Sequence, residues 1–196
     1  MKKLRKFLLQ INSKFDLDEY KGSRNLHLGC GNKPLKNFLN LDYYNTKYID
    51  EKVDLNKPLP YENNSFNLIY SDNVFEHIEN LIDLIKECYR ILKKDGHLII
   101  KVPYFKSKHA FVDPTHKIYF TIQSMDYFVK GTYFNKEYRF IKESFETLYI
   151  YLDDGQNSVL FKKIIAIFAS NRPNYFENSI WSNLFVFHNI TYIMRK

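Results

Sequence analysis

Hydrophobic residues change their spacing along the chain, and the changes mark out its elements. Asn25-Leu26-His27-Leu28 predicts a short strand, broken by Gly29-Cys30-Gly31. Phe38 to Leu41 predicts a second strand ending at Asp42, and Glu51 to Asp54 a weak third, closed by Pro58 and Pro60. Phe66 to Tyr70 reads as a fourth. From Asn80 to Leu92 the apolar positions are 81, 82, 84, 85, 88, 89, 91 and 92, the stripe of an amphipathic helix. Lys93-Lys94 would suit the negative end of that helix dipole, and Gly96 its stop. His97 to Val102 then predicts a buried strand ended by Pro103.

Strands alternating with helices imply parallel βαβ units and a doubly wound α/β sheet. Such sheets bind ligands at the carboxyl ends of their strands. No repeat or linker divides the chain, so residues 1–196 are expected to form one domain. Its parts would be an N-terminal helical segment (1–24), a ligand-binding half (25–103) and a second half (104–196).

Composition narrows the class. Of 196 residues, 45% are hydrophobic and 26% charged, which fits neither a disordered chain nor a membrane bundle. No apolar run reaches the roughly 18 residues of a membrane span. Two cysteines, Cys30 and Cys88, give no disulfide framework and point to a reducing, cytoplasmic setting. The formal charge is +7, but the basic residues are dispersed, so a lysine-rich surface is preferred over a nucleic-acid face. The basic start, Met1 to Leu9, is too short and polar for a secretory signal. It reads as a helix packing on the domain, with membrane-surface contact the lesser alternative.

The two glycines permit a tight turn with backbone close to a ligand. A dinucleotide fingerprint calls for a third glycine three residues after Gly31, where Pro34 stands, so a nicotinamide enzyme is disfavoured. Asp42, ending the next strand, could instead accept hydrogen bonds from vicinal ribose hydroxyls. Asp54, ending the third, could accept from an exocyclic amine such as that of adenine. Singly, each would be read as a solvated loop acid; at successive strand ends they point to a ligand.

The chain resembles the class I S-adenosylmethionine-dependent methyltransferases, in particular the small type 11 group. The resemblance is carried by Leu26 to Asn32, Asn40-Leu41-Asp42, Val53-Asp54-Leu55 and Leu59-Pro60-Tyr61. It continues through Ser65 to Ser71, Val74-Phe75-Glu76-His77-Ile78 and Cys88 to Gly96. It implies a Rossmann-like, mostly parallel seven-stranded sheet with an antiparallel last strand near Thr191 to Met194, and helices on both faces. It also implies S-adenosyl-L-methionine as cofactor. Gly29, Cys30 and Gly31 would approach its methionine part, Asp42 its ribose, and Asp54 with Leu55 its adenine. Ser71 and Asn73 complete the cofactor-side candidates; Asn73 stands where relatives often carry a histidine. The spacing from Gly31 to Asp42 leaves little room for the usual first helix.

Some acceptors can be argued against. Ser71-Asp72-Asn73-Val74 lacks the Asn/Asp-Pro-Pro-aromatic cradle for a planar amide or adenine amine. Cys88 lies on a helix stripe and Cys30 in the glycine turn, which disfavours a carbon-methylating thiol. The informative segment follows the fifth strand: Pro103 to His109, then Asp113-Pro114-Thr115-His116. It has three readings. One is a rigid turn in which Asp113 accepts backbone N–H groups and His116 packs. Another is a general base, His116, oriented by Asp113. The third is a metal site of His109, Asp113 and His116, whose spacing fits no standard set. Glu76-His77 reads either as a helix cap with packing or as an active pair, with His77 and His109 the alternative bases.

The aromatic residues Tyr104, Phe105, Phe111, Tyr119, Phe120, Tyr127 and Phe128 are expected to be mostly core, with one or two free to stack on a sugar or cage an amine. The expected activity is methyl transfer to a small molecule or glycan precursor, at oxygen. The alternatives are an amine-bearing metabolite, RNA, or a non-catalytic partner that binds the cofactor.

Overall fold

The computed structural model describes residue 20, residues 22–153 and residues 160–196. The expected N-terminal helix therefore lies almost wholly outside the described residues. In chain order the elements begin with β1 (Asn25–Leu28), β2 (Leu39–Asp42), β3 (Glu51–Lys52) and β4 (Phe66–Asp72). A 3-10 turn (Phe75–His77) leads to α1 (Leu81–Ile91) and β5 (Leu92–Pro103). Then come α2 (Tyr133–Tyr138), β6 (Thr147–Asp153), α3 (Leu160–Asn171), α4 (Pro173–Glu177), α5 (Trp181–Leu184) and β7 (Asn189–Arg195).

The sheet order is β3-β2-β1-β4-β5-β7-β6. Every pairing from β3 to β5 is parallel, and β7 runs antiparallel to both β5 and β6. The antiparallel last strand and the seven-stranded sheet agree with the sequence reading. Strand order reverses between β1 and β4, where sheets of this kind form a ligand crevice. Side chains alternate across the sheet. Leu98 and Ile100 join the main core with Tyr192 and Met194, while Ile99 and Ile193 join Leu68 in a smaller cluster.

No helix joins β1 to β2, as the short spacing foretold. The Asn40 side chain organises the connecting loop instead. Its carbonyl accepts the Leu35 N–H at 2.8 Å, and its amide donates to the Phe38 carbonyl at 3.0 Å and Asp50 Oδ2 at 3.1 Å. Helix α1 buries Leu84, Ile85, Cys88 and Ile91, and Asn80 caps it by accepting the Asp83 N–H at 3.3 Å. Burial pushes the Cys88 thiol up, out of the range of a nucleophile.

The far end of α1 differs from the expectation. The helix stops at Ile91, and Lys93 and Lys94 already belong to β5. Fully buried Leu92 pairs with Phe66, and this contact draws the chain into the sheet before the lysines. The left-handed turn falls on Asp95 (φ 61°) rather than Gly96. Gly96 is needed for close approach: a Cβ there would lie 2.8 Å from the Lys93 carbonyl oxygen.

Candidate functional site

The carboxyl ends of the strands hold two groups of residues. In the first, β1 enters the glycine turn with Gly29 at φ 66° and Gly31 at φ 53°, a conformation that favours glycine. The two glycines are needed for different reasons. A Cβ on Gly29 would lie 2.2 Å from Val74 Cγ2, so that side is closed by the segment after β4. A Cβ on Gly31 would meet no protein atom within 4 Å, so its side is an open cradle.

Asp42 holds this turn from β2. Its Oδ2 accepts the Gly31 N–H at 2.8 Å, and its Oδ1 accepts the Tyr44 N–H at 3.0 Å. Each oxygen keeps a further lone pair, so the carboxylate can fix the turn and still accept from a ribose hydroxyl. Asp54 follows β3, which pairs with β2. The Asn56 N–H, donated at 3.1 Å, and the ion pair with Lys57 hold its carboxyl below the usual range. Leu55 beside it is buried. Burial and the nearby Asp42 and Asp50 push the Cys30 thiol up, so Cys30 serves the turn rather than chemistry. Ser71 is fully buried with its Oγ unpartnered. Asn73 takes φ 56° and turns the chain out of β4.

In the second group, the main-chain carbonyl of Glu76 accepts the Lys117 N–H at 2.7 Å and the Ile118 N–H at 3.2 Å. These bonds fold the loop after β5 onto the 3-10 turn after β4. Three side chains meet there. A carboxylate oxygen of Glu76 and one nitrogen each from His77 and His116 lie within 4.8 Å of one another. Glu76 is 1% exposed, and neither carboxylate oxygen has a hydrogen-bond partner. His116 Nε2 stands 3.9 Å from Glu76 Oε1, and the two imidazoles meet edge to face at 4.8 Å. Burial, opposed by the Glu76 main-chain N–H and reinforced by the charges of Asp72 and Asp113, pushes the Glu76 carboxyl up to about 7.

The hydrogen bonds assign the tautomers. His116 Nδ1–H donates to the Ala110 carbonyl at 2.9 Å. The Thr115 hydroxyl gives its only proton to Asp113 Oδ1 at 2.6 Å, so it accepts from His77 Nδ1–H at 2.9 Å. Nε2 of each ring is left with its lone pair.

Three sequence expectations are corrected by this geometry. The Asp113 carboxylate bonds to the Thr115 N–H and hydroxyl, and through Thr115 it orients His77 rather than His116. His109 does not join Asp113 and His116; its ring packs on His188 at 4.8 Å. Glu76 caps nothing, because α1 is capped by Asn80 and the 3-10 turn has no side-chain cap. Among the aromatic residues, Tyr104, Phe120 and Phe128 are core, but Phe111 and Tyr119 are 60% and 48% exposed and stack at 4.8 Å.

Sequence reasoning passed over Thr115 and undervalued Glu76. The Thr115 hydroxyl matters only after the loop has folded back on residues 75–77, which no local pattern encodes. For Glu76 a signal existed: an acid followed by histidine, just after a strand predicted to end in the ligand crevice. Its isolation has a structural signature. Among the described residues, the buried side-chain polar atoms without a partner are Ser71 Oγ, Asp72 Oδ1, both Glu76 oxygens and Arg195 Nε. All but the last lie between residues 71 and 76.

The family described as a methyltransferase domain matches residues 31–100. No curated protein sequence matches the chain. Among solved structures, an S-adenosylmethionine-dependent methyltransferase from Archaeoglobus fulgidus is similar at 17% identity and a TM-score of 0.60, covering 98% of this chain and 94% of that one. One from Thermotoga maritima is similar at 16% identity and a TM-score of 0.57 over 96% and 87% of the two chains. One from Mesorhizobium loti is similar at 17% and 0.50 over 89% and 91%. These likenesses establish the fold, and the domain match covers β2 to β5 with the turn residue Gly31. The cradle beside Gly31, the acceptor-only carboxylates after β2 and β3 and the unpartnered Ser71 hydroxyl fit S-adenosylmethionine, which supplies an activated methyl group on a sulfonium. Residues 31–100 thus match a methyltransferase domain, within a chain that has the fold of S-adenosylmethionine-dependent methyltransferases.

Proposed function

We propose that the chain transfers this methyl group to an oxygen of a small-molecule or glycan-precursor acceptor, beside Glu76, His77 and His116. The observation that carries the reading is the set of lone pairs on Glu76 and His116 Nε2, which face each other without a proton donor between them. Glu76 lies a few residues after β4, which carries Ser71 and is followed by Asn73, and the loop after β5 brings His116 to it. A hydroxyl needs its proton removed as the methyl arrives, whereas a neutral amine does not, and a positioned base gives typically ~10²–10⁴ in rate.

In this reading Gly29, Cys30 and Gly31 receive the methionine part of the cofactor, Asp42 its ribose, and Asp54 with Leu55 its adenine. Ser71 and Asn73 flank the reacting end. The acceptor oxygen attacks the methyl carbon in line with sulfur. The O–CH3 bond forms, the S–CH3 bond breaks, and the bonding pair returns to sulfur, leaving a neutral thioether. His116 Nε2 takes the hydroxyl proton, with its orientation fixed by the Ala110 carbonyl and its new charge facing Glu76. The exposed Phe111–Tyr119 stack, on the same loop, offers a flat face to a sugar ring.

The test is incubation with isotopically labelled S-adenosylmethionine and a metabolite extract, followed by fragmentation of each labelled product. A methyl ether is the expected product. Label on nitrogen, or on RNA, overturns the oxygen assignment.

A further inference from the structure

A carboxylate oxygen of Glu76 and one nitrogen each of His77 and His116 lie within 4.8 Å of one another. The carboxylate is buried and both its oxygens are unpartnered. Each imidazole donates its Nδ1–H outward, His116 to the Ala110 carbonyl and His77 to the Thr115 hydroxyl, which is itself anchored on Asp113. Histidines that bind metals are held in this way: an outward N–H bonded to a carbonyl or carboxylate fixes the tautomer and aims the other nitrogen at the ion. A proton could relieve only one of the three donors. A cation would satisfy all of them.

We infer that Glu76, His77 and His116 bind a first-row divalent cation, leaving coordination positions open toward the methyl acceptor. Two imidazoles and one carboxylate suit zinc, iron(II), manganese or cobalt rather than magnesium or calcium, which prefer oxygen ligands throughout. Three protein ligands are the number found in catalytic sites that keep a place for water or substrate. At metal–ligand bonds near 2.1 Å, neighbouring donors in a tetrahedral shell stand about 3.4 Å apart. The pair at 3.9 Å is close to that, and all three donors lie within 4.8 Å of one another.

What the cation does rests on the oxygen-methylation reading above; the site itself does not. A hydroxyl bound at an open position loses its proton more readily, as metal-bound water does. His116 Nε2 is then a ligand, and the proton leaves to solvent. The sum is unchanged: S-adenosylmethionine and the alcohol give S-adenosylhomocysteine, the methyl ether and one proton.

The experiment titrates the chelator-treated full chain with Co²⁺, read by visible absorption, and with Zn²⁺, read by calorimetry. One equivalent is expected to bind the wild type, with thermal unfolding moved upward. Glu76→Gln and His116→Ala are each expected to weaken binding at least about tenfold and to remove the thermal shift. Glu76→Gln keeps the shape of the site, and S-adenosylhomocysteine affinity serves as the check that both variants are folded. Absence of binding to the wild type, binding unchanged in both variants, or binding abolished only by His109→Ala or His188→Ala overturns the site. Methyl transfer to a hydroxyl that persists unchanged in chelator overturns the catalytic role of the cation and leaves the acceptor reading intact. Cation binding with methyl transfer only to nitrogen does the reverse.

Discussion

The two groups of residues at the carboxyl ends of the strands are built on opposite plans. Around the glycine turn both carboxylates are engaged by main-chain N–H groups: Asp42 accepts those of Gly31 and Tyr44, and Asp54 that of Asn56. Their bonds run between residues close in sequence or on paired strands, so the backbone holds the shape. Beside the two histidines Glu76 is more deeply buried than either aspartate, yet neither of its carboxylate oxygens has a hydrogen-bond partner. That arrangement is costly in the folded chain alone, since a buried unpaired polar group loses its hydration without recompense. One group is shaped by its own bonds, while the other leaves a buried carboxylate unbonded.

The largest expected effect falls on the second side. His116→Ala should lower turnover by ~10²–10⁴-fold, whether the ring acts as base or as ligand. S-adenosylhomocysteine affinity should stay within about twofold, because the proposed cofactor contacts are those of Gly29 to Gly31, Asp42 and Asp54. Calorimetry together with initial rates checks both. A loss of cofactor affinity as large as the loss in rate would erase the distinction between the two sides.

The next effect is on stability, in chelator-treated protein. The Glu76 carboxyl is raised from 4.5 to about 7 by burial, with the charges of Asp72 and Asp113 adding to the rise. The folded state therefore holds this proton more tightly than the unfolded one. The contribution of Glu76 to stability is full below pH 4.5, declines as pH rises toward 7, and is lower by about 3 kcal/mol above that. Glu76→Gln carries no charge to desolvate. It should match the wild type near pH 4 and exceed it by up to about 3 kcal/mol at pH 8, as measured by urea unfolding at both values. A variant less stable than wild type at pH 8 would mean that the carboxylate has a partner after all.

The same contrast explains what could be read from the sequence. The glycine turn and the placement of Asp42 and Asp54 were legible because they follow from local rules: a turn that requires positive φ, and acids placed where predicted strands end. The absence of a helix between β1 and β2 was legible from spacing alone. The early end of α1 was not, because it depends on Leu92 pairing with Phe66, more than twenty residues earlier in the chain. The Asp113–His116 pair was read from a separation of three residues, but the loop brings Thr115 between Asp113 and His77 instead. Glu76 reads as a helix cap or as half of an active pair, and its burial follows only once the loop at 117–118 is fastened over it.

Asp42→Asn probes the cofactor side. Substitution removes the charge and one acceptor, while the other oxygen can still take one of the two N–H groups. If the carboxylate also receives the ribose hydroxyls, affinity for S-adenosylmethionine should fall by about 1–3 kcal/mol, with kcat at saturating cofactor nearly unchanged. A 2′-deoxyribose analogue should lose less in the variant than in the wild type. Equal losses would show that Asp42 only braces the turn.

The smallest effect is expected at Thr115, and it decides how Asp113 contributes. Valine has nearly the shape of threonine but no hydroxyl, so Thr115→Val breaks the chain from Asp113 to His77 while leaving His116 on the Ala110 carbonyl. The bond is solvent-exposed, and such bonds are worth about 1 kcal/mol, so turnover should fall by roughly tenfold or less with cofactor affinity unmoved. Asp113→Ala should produce a similar loss, and the double variant little more, because both act through the same His77 N–H. Additive losses in the double variant would mean that Asp113 acts on the site by a second route, with the charge it places near His116 the first to examine. A full tenfold loss in Asp113→Ala with none in Thr115→Val would restore the direct pairing of Asp113 with His116 that the sequence suggested.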